Sequence, residues 1–598
     1  MQLTKEDEAK FTKLGIKTWS ELALIVPHSY EDFRLHNKLQ IHKPQLIDAT
    51  IDSVNHFANS IQITFFAHNF GHVLGGVVFR PKPYMAHLFK TGERDYYYGL
   101  IECKNGQCTM SMPRKISEVG QITPKYKSVL KNDVMIHLIQ KNLNSENLKS
   151  EGLKDTVIHE ILKLHFPTDE VLKSSELSEQ SLNALKYIEL FLYMKLLAGK
   201  RRYFKALQTT KNDYTLWASS LPFKLTAEQI SVIKNIQSDL GKNIAAKRMI
   251  VGDVGSGKTM VILASALMML PHRSILMAPT TILANQLFEE AQKFLPHVKT
   301  ILVTNKTKKI DLNAFDFIIG THAVLYRELP QSALVMVDEQ HRFGTKQRNM
   351  LEKLVSSGEK KPHYLQFSAT PIPRTQAMIE TAHIDVSLIT STPFTKDITS
   401  KVIHKSDFSN LLKHIKEEIA KNNQVLLVYP LVEQSDFLEY QSIAEARGYW
   451  EKNFQNVYVT HGKDKEKEEV LLEFREKGAL LIATTVVEVG ISLPRLSTIV
   501  IVGAERLGLS TLHQLRGRVS RTGLKGYCFL YTNQEDSFRL ERFVKTISGF
   551  DIANLDLKFR KSGDLLKGSN QSGSQFKWID LAEDEAIVKE VKRDLKIG

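Results

Sequence analysis

A glycine-rich segment at residues 252–259 has the residue types and spacing of a phosphate-binding loop. It reads GDVGSGKT, follows the apolar stretch RMIV and precedes the apolar stretch MVILASALMML. A strand, a loop and a helix in that order present backbone N–H groups to phosphate oxygens at a helix N-terminus. Lys258 would reach the β- and γ-phosphates, and Thr259 would hold Mg²⁺. The expected nucleotide contacts here are Gly252, Gly255, Ser256, Gly257, Lys258 and Thr259.

Two adjacent acids end another apolar stretch, in the sequence ALVMVDEQHRFG at residues 333–344. A phosphate-binding loop needs a further acid beside Mg²⁺ at the end of a neighbouring strand, and Asp338 fits that position. Glu339 would then orient or deprotonate the attacking water. The alternative is a pair of solvated turn acids. Gln340 and His341 have no role in hydrolysis, and our hypothesis is that they sense the γ-phosphate and link hydrolysis to domain movement.

Residues 221–229, LPFKLTAEQ, precede the phosphate-loop segment and combine an aromatic residue with a downstream amide. We interpret Phe223 as a stacking surface for adenine and Gln229 as a hydrogen-bonding partner of the base edge. Phe223 could equally be an ordinary core residue.

Small polar residues follow other strand ends, in APTTILANQ and GTHAVL. Ligands of open parallel sheets bind at that edge. Pro279, Thr280, Gln286, Thr321 and His322 therefore suit contacts with a sugar–phosphate backbone. The alternative is helix capping by Thr280 and Thr321 without a ligand.

Three further segments follow strands. The segment FSATPIPRT contains Ser368 and Thr370. The segment ATTVVEVGIS contains Thr484 and Thr485, and we interpret these two threonines as DNA contacts. The third segment, QLRGRVSRTG, contains four polar or cationic side chains: Gln514, Arg516, Arg518 and Arg521.

The last two of these arginines are three residues apart and share a face if the segment is helical. Guanidinium groups reaching the nucleotide phosphates would act as arginine fingers. A surface basic patch or a salt-bridge site is the alternative.

The pattern of elements divides the chain into three regions. Strand-like segments up to about residue 112 predict a compact β-barrel, with a helical piece before it. Residues 117–211 have helical periodicity and end in a basic cluster, Lys200, Arg201, Arg202 and Lys205, which is either a solvated helix end or a phosphate-contacting face. From about Trp217, two series of alternating strands and helices predict two α/β domains with parallel sheets.

The composition favours a polyanionic partner. The 598 residues carry a formal net charge of +14, which suits nucleic acid, although a basic surface that binds nothing is the alternative. The three cysteines are interpreted as free thiols in a reducing cytosol, because an odd count is a poor disulfide framework. The first residues lack a secretory signal and residues 260–270 are too short to span a bilayer, so we expect a cytoplasmic protein that does not use a membrane.

The order of these motifs resembles that of superfamily 2 helicases. The motifs that carry the resemblance are GDVGSGKT, DEQHRFG, SATPIPRT, TTVVEVGISLP, GAERLGLSTLHQLRGRVSR and GFDIANLDLKFRKSGDLL. The resemblance is greatest to the members that act on branched DNA, and it is strong from about Leu221 to Leu566 and weaker before that. It implies a multidomain protein with ATP and Mg²⁺ as cofactors.

The domain organisation that this resemblance implies begins with a helical segment and a wedge domain of oligonucleotide-binding (OB) fold. A helical linker, two RecA-like motor domains and a translocation element follow. The expected ranges are 1–45 for the helical segment, 46–116 for the wedge, 117–215 for the linker, 216–394 and 395–545 for the motor domains and 546–598 for the translocation element.

The resemblance also implies an activity. Such enzymes track on duplex DNA, have 3′ to 5′ polarity, regress stalled forks and branch-migrate Holliday junctions while the wedge splits the strands. Partners would be branched DNA, including R-loops or D-loops, with single-stranded-DNA-binding protein as a candidate and a monomer as the expected state. The implied ATPase residues are Lys258, Thr259, Asp338, Glu339, Gln514, Arg518 and Arg521, with Ser368 and Thr370 coupling nucleotide state to DNA grip.

Several residues depart from the family pattern. In the wedge, FRPKPY offers Phe79 and Tyr84 as base-stacking aromatics, spaced one residue wider than usual; packing in the core is the alternative. Ser492 stands where an acid is usual and Ser520 where a glycine is usual.

Three other functions compete with this one. A transcription-repair coupling translocase is far longer and carries a polymerase-binding region, for which this chain has no room. An RNA helicase would more often have Ala at position 340 and would lack the wedge. A junction-binding protein without hydrolysis would not need Lys258, Asp338, Glu339 and Arg521.

Overall fold

The computed structural model describes most of the chain. The described residues are 3–172, 176–339, 342–356, 358–370, 372–394, 397–430, 440–462, 464, 466–485, 492–520, 523–567 and 576–597. They form two compact units, Met1–Tyr193 with Phe576–Ile579, and Met194–Gln575 with Asp580–Gly598.

The first unit contains a barrel followed by helices. Its elements are α1 (Lys5–Leu14), α2 (Trp19–Ala23), β1 (Ser29–Asp32), β2 (Lys43–Phe57), β3 (Ser60–Ala67), β4 (His72–Phe79), β5 (Arg94–Lys104), β6 (Gln107–Lys115), β7 (Ile122–Lys125), α3 (Asn132–Asn142), α4 (Ser145–Ser150), α5 (Asp155–His165), α6 (Asp169–Leu172) and α7 (Glu179–Gly199), whose last residues belong to the second unit.

Strands β2 to β6 close into a five-stranded barrel in the order β2-β3-β4-β6-β5. Its pairs are antiparallel except β4 with β6, which is parallel. Along β3, Ile61, Ile63 and Phe65 are buried in the barrel core and alternate with more exposed residues, which is the period-two pattern of a strand with one buried face. The barrel expected from the sequence is therefore present.

The prediction of free thiols is wrong for two of the three cysteines. Cys103 and Cys108 form a disulfide, whereas Cys528 is free and buried. The cause is the hairpin turn between β5 and β6, where Asn105 and Gly106 have φ of 50° and 81°. An Asn-Gly pair with positive φ forms a two-residue hairpin turn, and the resulting register places the two cysteines directly opposite each other.

A buried histidine joins the helices of the first unit to the segment after the barrel. His165, the last residue of α5, lies with Nε2 2.9 Å from the carbonyl oxygen of Ala23 and Nδ1 3.0 Å from the hydroxyl of Tyr126. A carbonyl only accepts, so Nε2 carries the proton and Nδ1 accepts from the tyrosine. Burial lowers the pKa of His165 to about 4.

The second unit contains two α/β domains. The elements of the first are β8 (Lys205–Ala206), α8 (Thr215–Ser220), α9 (Ala227–Leu240), β9 (Lys247–Gly252), α10 (Lys258–Met269), β10 (Ser274–Met277), α11 (Thr281–Phe294), β11 (Thr300–Val303), β12 (Phe317–Gly320), β13 (Leu334–Val337), α12 (Thr345–Val355), β14 (Lys360–Lys361), β15 (His363–Ser368), α13 (Arg374–Glu380) and β16 (Asp385–Ile389).

The second α/β domain continues directly from the first. Its elements and those of the C-terminal region are β17 (Ile398–Ile403), α14 (Phe408–Ala420), β18 (Gln424–Val428), α15 (Ile443–Asn453), β19 (Val457–Thr460), α16 (Lys467–Lys477), β20 (Leu480–Ala483), β21 (Leu496–Val502), α17 (Leu509–Arg516), β22 (Gly526–Tyr531), α18 (Phe538–Lys545), α19 (Gly549–Lys567) and α20 (Glu585–Asp594).

Both sheets are parallel, as predicted. Within the described residues the first has seven strands in the order β11-β12-β10-β13-β15-β9-β16, and the second has six in the order β17-β22-β21-β18-β20-β19. The carboxyl ends of parallel strands meet at one edge, so the segments after β9, β10, β12, β13 and β15 lie together there. No helix among the described residues has the length and apolar character needed to cross a bilayer.

We predict that the α5 region loses stability between pH 7.5 and pH 5 because of His165. Its folded pKa of about 4 lies below the ordinary value of 6.5, so the unfolded chain takes up the proton first and stability falls as pH falls. The loss at pH 5 should be about 2 kcal/mol. Hydrogen exchange of α5 in the full chain, corrected for intrinsic rates, measures it.

A matched pair of variants isolates this effect. His165→Gln should flatten the pH dependence, whereas His159→Gln, on the exposed face of the same helix, should leave it unchanged. An unaltered pH dependence in His165→Gln would contradict the assignment.

Candidate functional site

The phosphate-loop segment has the conformation that its glycines permit. Gly255 and Gly257 have φ of 78° and 76°, in the region that residues with a side chain rarely adopt. A Cβ atom on Gly257 would lie 2.2 Å from Nε2 of Gln229, so a larger residue would displace that side chain as well as strain the backbone. Lys258 begins α10, and its Nζ donates to the carbonyl oxygens of Gly252 and Asp253 at 2.8 and 3.2 Å. The loop is thereby folded around the lysine that would meet the phosphates.

Gln229 holds this loop in place through a hydrogen bond. Its Nε2 donates to the carbonyl oxygen of Ser256 at 2.9 Å, and its Oε1 accepts from the N–H of Thr226 at 2.8 Å in a capping box at the start of α9. The residue is only 2% exposed. Its position in the sequence predicted a contact with the adenine edge and gave no indication of this support of the loop. Phe223 is half-exposed and packs edge-on against Phe294, with a centroid distance of 5.9 Å.

The two adjacent acids occupy different environments. Asp338 is buried just after β13, and its Oδ1 accepts from the N–H of Glu339 at 3.0 Å. Burial, and then the charge of Glu339, raise the pKa of Asp338, while the nearby Lys258 opposes that rise. Glu339 has φ of 48° although it is not a glycine, and this conformation carries strain. Asp338 is therefore not a solvated turn acid, and that alternative is excluded for this residue.

Glu339 is connected to the segment after β15. Its Oε2 accepts from the N–H of Ala369 at 3.2 Å. Within that segment the N–H of Thr370 donates to Oγ of Ser368 at 3.2 Å, which forms a tight turn. The Oγ1 of Thr370 accepts from Nε2 of Gln514 at 2.7 Å. A chain of contacts therefore leads from the carboxylate, through Ser368 and Thr370, to α17 of the second α/β domain.

The arginine segment is helical over only part of its length. Helix α17 ends at Arg516 with Gly517 as its C-cap, so Arg518 lies beyond the helix and the shared-face argument for Arg518 and Arg521 does not apply. Arg518 is buried and lines the same cavity as Lys258. Position 521 lies outside the described residues.

Arg516 is buried and is not among the residues that line the cavity with Lys258. It donates to the carbonyl oxygens of Phe543 and Thr546 at 3.2 and 2.8 Å and lies over the Phe543 ring at 4.3 Å. It also donates to Nδ1 of His513 at 3.1 Å, so its contacts are with α17, the end of α18 and the residues that follow α18.

The phosphate loop also contacts the second α/β domain through a residue for which the sequence predicted no role. Oδ1 of Asp253 lies 2.6 Å from Nε2 of His513 on α17, and Oδ2 accepts from the N–H of Gly549 at 3.0 Å, where α19 begins. Asp253 lies inside the GDVGSGKT motif, yet no spacing in the sequence indicates its partners. Val254 also meets this domain: a Cβ on Gly517 would lie 2.6 Å from Cγ1 of Val254.

Most of the predicted nucleotide-binding and catalytic residues line one cavity of ≈ 850 Å³. Its lining includes Phe223, Gln229, Gly255, Gly257, Lys258, Thr259, Asp338, Glu339, Ser492, Gln514 and Arg518. Gln286, which was assigned to DNA, also lines this cavity, so the structure groups it with the nucleotide residues. Both α/β domains therefore contribute side chains to one space.

The other predicted DNA residues of the first sheet lie at the same edge. Oγ1 of Thr280 caps α11 by accepting from the N–H of Leu283 at 3.2 Å. Oγ1 of Thr321 accepts from the N–H of Ala323 at 3.3 Å and caps the 3-10 helix His322–Tyr326. The capping alternative is therefore realised for both threonines. Pro279 is half-buried and His322 is exposed.

Two further sets of predicted residues are placed by the structure. Thr484 and Thr485 follow β20 and are half-buried. In the first unit, Phe79 ends β4 and Tyr84 lies in the 3-10 helix Pro83–His87; they are 57% and 58% exposed, so packing in the core is excluded for both. The coupling residues Gln340 and His341 lie outside the described residues.

Comparisons with known proteins all find similarity to helicases. A family model for DEAD/DEAH box helicases matches residues 226–379, and a model for the helicase conserved C-terminal domain matches residues 406–523. ATP-dependent DNA helicase RecG of Helicobacter pylori is 47% identical over 608 residues, covering 99% of this chain and 98% of that protein. The protein of the same name from Aquifex aeolicus is 31% identical, covering 99% and 83% of the two chains.

A solved structure is also similar over the whole chain. It is described as RecG bound to a three-way DNA junction, and its TM-score is 0.58 at 26% identity. The match covers 100% of this chain and 84% of that one.

We predict that Gly517→Ala lowers ATP turnover by about 100-fold. The added methyl would lie 2.6 Å from Cγ1 of Val254, so the segment that carries Arg518 must move away from the phosphate loop. A displacement of about 1 Å in a reacting constellation costs about this factor. Steady-state ATP hydrolysis measures it.

The control for this variant lies at the other end of the same helix. Gly508→Ala adds a methyl with nothing within 4 Å and should retain turnover. Equal turnover in the two variants would show that the contact with Val254 is not required.

Proposed function

The chain belongs to the RecG family of ATP-dependent DNA helicases, and we propose that it remodels branched DNA by translocating on the duplex with 3′ to 5′ polarity. In this proposal it regresses stalled replication forks and branch-migrates Holliday junctions as a monomer. One observation carries the motor part of the proposal: the phosphate loop and Glu339 of one α/β domain share a cavity with Gln514 and Arg518 of the other. Hydrolysis in such a space changes the contacts between the two domains.

The nucleotide would bind with its phosphates at the N-terminus of α10. Backbone N–H groups of the loop and Nζ of Lys258 meet the phosphate oxygens, while the exposed ring of Phe223 is available to stack on adenine. Gln229 holds the loop through Ser256, and any contact with the base comes in addition to that. Arg518 supplies positive charge from the second domain, as an arginine finger does.

The residues beside the phosphates suit Mg²⁺. Thr259 and Asp338 offer a hydroxyl and a carboxylate, which are the hard oxygen ligands that this ion prefers. Burial, and then the charge of the neighbouring Glu339, raise the pKa of Asp338, and a divalent cation bound there would stabilise its charged form. Bound Mg²⁺ would neutralise charge on the β- and γ-phosphates.

Glu339 is the proposed residue that orients and deprotonates the attacking water. The N–H of Ala369 fixes one of its carboxylate oxygens at 3.2 Å, and the other oxygen is the one proposed to meet the water. Ala369 directly precedes Thr370, and the hydroxyl oxygen of Thr370 accepts a hydrogen bond from Gln514. A change at Glu339 on hydrolysis is thereby transmitted to α17, which is the proposed coupling route through Ser368 and Thr370.

The barrel is the proposed wedge. Its strand order and single parallel pair match a five-stranded Greek-key barrel closed in the manner of an oligonucleotide-binding fold. Phe79 and Tyr84 are exposed at one end of it, where aromatic rings can stack on unpaired bases. Ser60 pairs with both Phe57 and Phe79, so Phe57, which is 55% exposed, lies on the same face.

The proposed domain boundaries are those expected from the sequence. We assign the wedge to residues 46–116, the linker to 117–215, the motor domains to 216–394 and 395–545, and the translocation element to 546–598. The helical segment 1–45 precedes them.

We predict that Glu339→Gln abolishes DNA-stimulated ATP turnover and leaves nucleotide binding intact. Removing the proposed base should cost a factor of about 10² to 10⁴ in rate, because an amide cannot accept the proton. Turnover with forked DNA and equilibrium binding of ATP are the two measurements. Glu328→Gln, an exposed position in the same domain, is the matched control. Persistent ATP turnover in Glu339→Gln would contradict the assignment of Glu339 as the base.

We predict that Phe79→Ala impairs fork regression and leaves ATP turnover on duplex DNA near its original rate. Loss of one base-stacking contact costs about 1–3 kcal/mol, or about 5- to 150-fold in regression. Strand exchange on a synthetic fork measures the first quantity.

The control is Phe66→Ala, at the opposite end of the β3–β4 hairpin, which should regress forks normally. If both variants lose regression equally, the effect arises from the stability of the barrel and not from stacking.

A further inference from the structure

A second cavity lies at the opposite edge of the first parallel sheet from the phosphate loop. It has a volume of ≈ 470 Å³. Lys247, which begins β9, and Asp385, which begins β16, are among its lining residues, so it opens at the amino ends of these strands. The chain that leaves α7 at Gly199 forms another wall. The basic cluster noted in the sequence therefore lines a cavity, with the exception of Lys205, which lies in β8.

This cavity is strongly cationic. Among the residues that the structure describes, two carboxylates line it together with six lysine and arginine side chains: Lys200, Arg201, Arg202, Lys242, Lys247 and Lys361. Both carboxylates are already in ion pairs. Asp385 lies 2.9 Å from Arg201, and Asp239 lies 2.7 Å from Arg248 and 2.8 Å from Lys242. An excess of about four positive charges in a concave site concentrates field and attracts polyanions.

Aromatic rings stand among these cations. Tyr203 is 64% exposed, and the guanidinium of Arg201 lies 5.4 Å from its ring centroid. Nζ of Lys361 lies 4.0 Å from the ring centroid of Phe204. Cations that bind phosphate beside a ring that stacks on a base are the recognition elements of a nucleotide.

The cavity wall also contains His383, which lies between α13 and β16. Nδ1 of His383 is shielded from solvent, and no hydrogen-bond partner for it occurs among the residues that the structure describes. The other ring nitrogen lies 3.4 Å from the carboxylate of Glu380. An unsatisfied buried polar atom costs about 1–3 kcal/mol. Because this nitrogen is shielded from the cavity as well, the cations and aromatic rings are the groups that a ligand would contact.

We propose that this cavity binds a free nucleotide carrying two or more phosphates, at a site separate from the phosphate loop. The phosphates lie against Lys200, Arg202 and Lys247, and the base stacks on Tyr203. A volume of ≈ 470 Å³ is in the range of small-ligand pockets, whereas duplex DNA needs a broad surface of more than about 600 Å². The size of the cavity therefore favours a free nucleotide over the DNA substrate.

The test counts ADP molecules bound per chain at saturation, by equilibrium dialysis of the full chain. The original chain should bind two, Lys258→Ala should bind one, and Lys258→Ala combined with Lys200→Glu and Arg202→Glu should bind none. Both reversed positions are exposed, so the fold should tolerate them. The control is Lys258→Ala combined with Lys413→Glu and Lys416→Glu, the same charge change on α14, which should still bind one.

Two probes separate the roles of phosphate and base. In the Lys258→Ala background, Tyr203→Ala should weaken ADP binding by about tenfold and leave inorganic tripolyphosphate binding unchanged, because only ADP has a base to stack. The triple variant with Lys200→Glu and Arg202→Glu should lose both ligands.

Three results would overturn the proposal. One is the binding of no ADP by Lys258→Ala. Another is ADP binding that the charge reversals at Lys200 and Arg202 leave unchanged. The third is complete displacement of ADP by forked DNA in the Lys258→Ala background, which would make the cavity a DNA contact.

Discussion

The carboxylate of Asp253 is the contact on which the arrangement of the cleft depends. A carboxylate inside a phosphate-binding loop repels phosphate unless its charge is directed elsewhere. Here one oxygen lies 2.6 Å from Nε2 of His513 and the other accepts from the N–H of Gly549 at 3.0 Å. Hydrogen bonds to a charged group are about twice as strong as neutral ones, and leaving a buried charge without them is costly. Contacts with α17 and the start of α19 therefore help to hold the shape of the loop, which links nucleotide binding to the C-terminal region.

The strained backbone of Glu339 also depends on its contacts with neighbouring segments. Glu339 keeps a positive φ because its own N–H donates to Asp338 and its carboxylate accepts from Ala369. Such strain persists only where the surroundings over-determine the conformation. The segment that supplies the Ala369 N–H also meets Gln514 through Thr370. The orientation of the Glu339 carboxylate, in the cavity that it shares with the phosphate loop, is consequently sensitive to the position of the second α/β domain.

Sequence reasoning succeeded where burial is complete and failed where it is partial. Strands such as β10, β12 and β13 are buried at every position and read as continuous apolar stretches. Strands β11, β16 and β17, for which no apolar segment was identified, are edge strands. In β17 three consecutive polar residues, 399–401, interrupt the apolar pattern, and every second position is exposed up to residue 401. The disulfide was missed because cysteine counting ignores the register that an Asn-Gly turn imposes. The support of the loop by Gln229 and the hydrogen bonds of Asp253 with His513 and Gly549 depend on contacts far apart in sequence, which no local pattern encodes.

Helix capping and DNA contact are compatible functions of the threonines at the strand ends. A hydroxyl has one donor and two acceptor positions, and the cap uses an acceptor position of Thr280 and of Thr321. The O–H donor of each remains to be directed by whatever lies beyond the strand end. A capped helix N-terminus also carries partial positive charge, which favours a phosphate nearby. The caps account for the position of both hydroxyls without a ligand, and contact of Thr280 and Thr321 with a sugar–phosphate backbone stays a prediction.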